Sequence, residues 1–73
     1  MTLIQGKVGH QYIVERLDLS GVLEKRLEAL GLTIGTKVLL LNRKANGSLI
    51  FKVRGTRLAV GKDIAHAIVI KED

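Results

Sequence analysis

Hydrophobic and polar positions divide the chain into seven short segments. Val8 to Leu17 (VGHQYIVERL) is rich in β-favouring residues and predicts a strand starting just after Gly9. Counted by twos, Ile13 and Leu17 fall on one face with Glu15 between them. The pattern then changes period. Leu23, Leu27 and Leu30 follow the i, i+4, i+7 spacing of a helix face, predicting a helix over Ser20–Leu30. Ser20 suits its N-cap and Gly31 the position just past its end.

After the connector Leu32-Thr33-Ile34-Gly35, Lys37 to Arg43 is apolar on both faces at Val38–Leu41, as a central strand requires. Asn46-Gly47 signals a turn. Ser48 to Arg54 alternates, with Leu49, Phe51 and Val53 inward and Ser48, Ile50, Lys52 and Arg54 outward. Gly55-Thr56 permits a second reversal into a strand from Arg57 to Val60, with Leu58 and Val60 inward. Gly61 to Ala65 predicts a single turn, of the 3₁₀ kind. His66 to Ile70 closes the pattern as a strand with Ile68 and Ile70 inward.

Strands this short, joined by tight glycine turns, predict a mainly β fold: a small five-stranded barrel with one helix inserted after the first strand. Closure removes exposed sheet edges. Leu23, Leu27 and Leu30 are expected to plug one open end.

Composition narrows the function. The chain has 73 residues, one domain's worth, and 47% of them are hydrophobic, too apolar for disorder. It lacks Cys, so neither disulfides nor thiolate metal sites can hold it. Its longest apolar run is far short of the roughly 20 residues of a membrane span. No basic-then-apolar leader opens it, so a cytoplasmic protein is expected.

Charge placement says more than its sum of +5. No acid lies between Glu28 and Asp63, while that stretch holds Lys37, Arg43, Lys44, Lys52, Arg54, Arg57 and Lys62. One end of the molecule should carry a positive field that attracts acidic partners.

Candidate chemistry is sparse. Ser20 and Ser48 sit in no nucleophile motif, and the glycines match no phosphate-binding loop. Glu24 and Glu28 read as an ordinary solvated helix face. His10 and His66, even with Asp18 or Asp63, make a thin ligand set for a transition metal. No enzyme, resident metal, cofactor or small-molecule substrate is expected. Single-strand binders pair basic grooves with stacking aromatics, and only Tyr12 and Phe51 are present here. A nucleic-acid-binding domain is therefore the alternative rather than the leading reading.

The run Leu27-Glu28-Ala29-Leu30-Gly31-Leu32-Thr33-Ile34-Gly35-Thr36-Lys37-Val38 resembles the RLxxLGLxxGxxV signature of FeoA domains. Gly47, Val53 and the segment GTRLAVGKDIAHAIVI (Gly55–Ile70) continue the resemblance. It covers about Gly6 to Ile70. Ile34 stands where the family often has Pro, and Ile70 where Val is commoner. The resemblance implies a small SH3-like barrel and an accessory protein of the bacterial ferrous iron (Feo) system, acting on the cytosolic side of the FeoB membrane transporter. Related domains end DtxR-like metal-dependent repressors, which leaves a transition-metal-binding role as a further alternative. The family supplies no catalytic residues. Set beside the charge pattern, the expected docking residues are Arg43, Lys44, Lys52, Arg54 and Arg57, with exposed Ile50. The helix end and the Gly31–Gly35 connector form a rival surface.

Overall fold

The computed structural model describes residues 1–73. A 3₁₀ turn, Leu3–Gln5, opens the chain. It is followed by β1 (Gln11–Leu17), α1 (Gly21–Ala29), β2 (Lys37–Arg43), β3 (Leu49–Val53), β4 (Thr56–Val60), α2 (Lys62–Ala67) and β5 (Ile68–Glu72). The strands form one antiparallel sheet in the order β4-β3-β2-β1-β5. β2 takes the central place that its two apolar faces predict.

The sheet curls around a single core. Fourteen buried residues make it up, among them Leu3, Tyr12, Val14, Leu40, Phe51, Ile68 and Ile70. Buried side chains are all apolar but for the Tyr12 phenol, whose oxygen accepts the Lys7 N–H at 2.7 Å. That bond satisfies the one polar atom the core takes in.

Closure is only partial. β4 and β5 share no ladder, so the sheet is barrel-like with an open seam rather than a continuous ring. α2 spans the connection between these two strands. The 3₁₀ turn expected at Gly61–Ala65 is instead a six-residue α-helix that runs to Ala67. It takes in His66, so β5 starts two residues later than the pattern suggested.

Two further expectations are corrected. On β1 the inward residues are Tyr12 and Val14, not Ile13. A register shift between Val14 and Arg16 breaks the two-residue period, and Leu17 then packs on the core from the other parity. On α1 only Leu27 is buried; Leu23 and Leu30 remain 41% and 45% exposed. The second apolar contact comes from beyond the helix, at fully buried Leu32.

That substitution follows from how α1 ends. Gly31 has φ +101°, which turns the chain back on itself. Gly31 N–H donates to Glu28 O and Leu32 N–H to Leu27 O, both at 3.0 Å. This is the Schellman pattern, and it sets Leu32 against Leu27. At the start of α1, Ser20 holds the N-cap position, but its hydroxyl makes no capping bond.

Candidate protein-docking surface

The β3–β4 hairpin builds the surface from its turn outward. Val53 pairs with Thr56, so the turn consists of Arg54 and Gly55 rather than Gly55 and Thr56. Both have positive φ, +51° and +80°, the combination that matches the twist of a two-residue hairpin. The ladder then sets Lys52 opposite Arg57, and Ile50 opposite Ala59. Leu39 of β2 lies on the other side of Lys52. Inward residues Leu49, Phe51 and Val53 alternate with these, so Ile50, Lys52, Arg57 and Ala59 share the outer face.

Two cations face each other directly across this hairpin, an arrangement that costs stability and concentrates field. Neither is neutralised. The ion pairs of the molecule lie elsewhere, between Arg16 and Asp18 at 2.8 Å and between Lys37 and Asp73 at 3.7 Å. The Asp18 carboxylate, bonded to the Arg16 guanidinium, raises that group's pKa further above its already high ordinary value. The half-buried Ile50 and Leu39 supply an apolar floor beside the charges.

The six expected docking residues do not form one patch. Ile50, Lys52 and Arg57 lie together on the outer face, with Arg54 at the adjoining turn. Lys44 sits at the opposite end of β3, where its N–H donates to Ser48 O and closes a three-residue loop. Arg43 is engaged otherwise. Its register partner is inward-facing Leu49, and its Nη2 donates to the carbonyls of Ile4 and Gly6, the latter at 2.8 Å. Arg43 thus ties the opening 3₁₀ turn to the end of β2.

Arg54 joins the two surfaces that the sequence left as rivals. Its stem lies against the helix end so closely that a Cβ on Gly31 would meet its Cδ at 2.9 Å. A cation there also faces the negative end of the α1 dipole. α1 and its connector expose Val22, Leu23, Leu30 and Ile34, the last 74% exposed. The sequence placed the helix end and connector on the surface as a rival, but it assigned Leu23 and Leu30 to the core, where the structure leaves both exposed.

Other chemistry is thin on the ground. No group of three or more His, Asp or Glu gathers where an ion could be held. His10 stacks on Tyr12, with ring centroids 6.4 Å apart, and His66 is exposed on α2. No pocket opens on the surface, and no helix is long and apolar enough to cross a membrane.

Comparison with known proteins agrees with the resemblance in the sequence. A protein of Methanocaldococcus jannaschii named "Putative Fe(2+) transport protein A" is 30% identical over 66 residues, 90% of this chain and 79% of its own length. Stenotrophomonas maltophilia FeoA, solved in complex with zinc and described as a procaryotic SH3 domain protein, superposes with a TM-score of 0.83 at 28% identity. That match covers 97% of this chain and 89% of the other. Iron(II) transport protein A of Clostridium thermocellum superposes with a TM-score of 0.91 over 99% of this chain, at 22% identity, a likeness of fold. The chain spans 45% of that protein's length. The fold is therefore SH3-like, and with the FeoA domain model matching residues 1–72, the chain belongs to the FeoA family.

Proposed function

We propose that the protein is a cytoplasmic accessory component of ferrous iron transport that works by docking on the cytosolic side of the FeoB transporter. Fe²⁺ is then the cargo of the transporter and needs no resident site here. The docking surface is the outer face of the β3–β4 hairpin, with Lys52 and Arg57 supplying charge, Ile50 the apolar contact and Arg54 the corner towards α1. One observation carries this reading: Lys52 and Arg57 stand opposite each other without a carboxylate partner, on a stretch free of acids. Unpaired cations around an apolar floor suit an acidic protein surface, with charge speeding association and Ile50 excluding water.

Purified FeoB captured on the immobilised protein, at low and at physiological salt, tests the proposal. Retention at both salts, lost in Lys52→Glu/Arg57→Glu, is the expected result. Retention unchanged in that double variant removes the hairpin face and leaves the helix end and the Gly31–Gly35 connector as the docking surface. Retention at neither salt removes the docking function itself.

A further inference from the structure

The sheet has two edge strands, and the chain treats them differently. The free side of β5 is covered by the N-terminal residues. Thr2 bridges Val69, Ile70 N–H donates to Met1 O at 2.7 Å, and the Met1 amino group donates to Ile70 O at 3.3 Å. The free side of β4 has no such cover. Because Arg54-Gly55 is a two-residue turn, Val53 and Thr56 are a hydrogen-bonded pair, and bonded and non-bonded pairs then alternate along the hairpin. Leu58 and Val60 are therefore bonded to β3, whereas Arg57 and Ala59 turn both N–H and C=O away from it. No hydrogen bond outside the β3–β4 ladder engages any residue of β4. The strand is also regular: it pairs over five residues without a register shift and contains no Pro.

We propose that the open edge of β4 is a β-augmentation site for an extended acidic segment of a partner protein, which adds as a sixth strand beside Arg57 and Ala59. The proposal deepens the docking reading and rests on it. Main-chain bonds to Arg57 and Ala59 supply the attachment. Side chains of the added strand that fall on the outer face meet Arg57, with Lys52 behind it, and select carboxylates there. The side chain between them faces the other way, beside half-buried Leu58, and selects an apolar residue. The preferred segment thus alternates acid with aliphatic. Asp63, on the first turn of α2, is the nearest acid along the chain, so the acidic preference is strongest towards the Thr56 end.

A second copy is the wrong occupant. Pairing β4 with β4 gathers the Arg57 and Lys52 side chains of both copies on one face, between two chains of net charge +5. The charges that discourage self-pairing are the ones that admit an acidic strand.

Two probes test this: the peptide Glu-Val-Glu-Ile-Glu-Val and its counterpart with Lys for Glu, both at up to millimolar concentration. The expected result is binding of the acidic peptide alone. Slowed exchange should appear at the Arg57 and Ala59 amides and not at Thr56 or Leu58, whose N–H groups are already bonded. Ala59→Pro removes one edge donor without touching the β3 ladder and should weaken binding about tenfold. Lys52→Glu/Arg57→Glu should abolish it. Absence of binding overturns the edge site, as does binding without protection of Arg57 and Ala59. FeoB retention lost in the charge-reversal variant but unchanged in Ala59→Pro overturns the added strand while leaving the docking face standing. Retention unchanged in both overturns the two together.

Discussion

Gly31→Ala tests the construction of the docking corner. Gly31 has φ +101°, and a Cβ there would meet Arg54 Cδ at 2.9 Å. Holding an L-residue at positive φ costs about 1–2 kcal/mol. Displacing the Arg54 stem adds about 1 kcal/mol, because that stem springs from a turn residue itself held at φ +51°. Alanine gives up less backbone freedom than glycine on folding, which offsets about 0.4–1 kcal/mol. The net cost is about 2 kcal/mol. A domain of this length has about 4–11 kcal/mol in total, so the loss is a sizeable fraction. Thermal unfolding followed by circular dichroism should show Tm lowered by about 8–16 °C. In an Arg54→Ala background the cost should shrink by the Arg54 share, about 1 kcal/mol, and the backbone share should persist. A loss below about 0.5 kcal/mol would refute the positive-φ requirement. Complete rescue by Arg54→Ala would place the whole cost in the side-chain contact.

Three further variants probe the rest of the structure. Arg43→Ala removes the donors to Ile4 and Gly6 and should cost about 1.5 kcal/mol. Its amide exchange should quicken at Gln5, Gly6 and Ile70, and FeoB retention should not change. Tyr12→Phe leaves the Lys7 N–H without its 2.7 Å acceptor, and urea unfolding should show a loss of about 0.5–1.5 kcal/mol. Phe51→Ala empties the middle of the core and should cost about 3–5 kcal/mol, the largest loss of the set, read by urea unfolding.

Where a segment obeys one period, the sequence was a sufficient guide. β2 has the bounds its apolar run predicts, and Leu49, Phe51 and Val53 alternate inward as expected. Failures arise where the period breaks or a distant contact decides. On β1 Tyr12 and Val14 face inward in place of Ile13, and the bulge that follows Val14 brings Leu17 onto the core from the other parity. The α1 spacing is helical, but a nine-residue helix at the rim of a small barrel can bury one leucine, and the Schellman turn recruits Leu32 in place of Leu30. The opening 3₁₀ turn has no periodic signature; bonds to β5 and to Arg43 hold it. The residues proposed for docking were legible as charge but not as geometry. Nothing local shows that Arg43 is occupied by carbonyls, that Arg54 is a turn residue, or that Lys52 and Arg57 stand opposite each other. The two-residue hairpin turn was the available clue, since placing it at Arg54-Gly55 fixes the ladder that follows.

Docking through the hairpin face would show itself in the association rate with FeoB, measured over a salt series for the native protein and for Lys52→Glu/Arg57→Glu. The native protein should associate fast and with a steep dependence on salt. The variant should associate at least tenfold more slowly and lose most of its salt dependence, while its Tm stays close to the native value. Equal rates for the two proteins across the series would rule out the hairpin face as the docking surface.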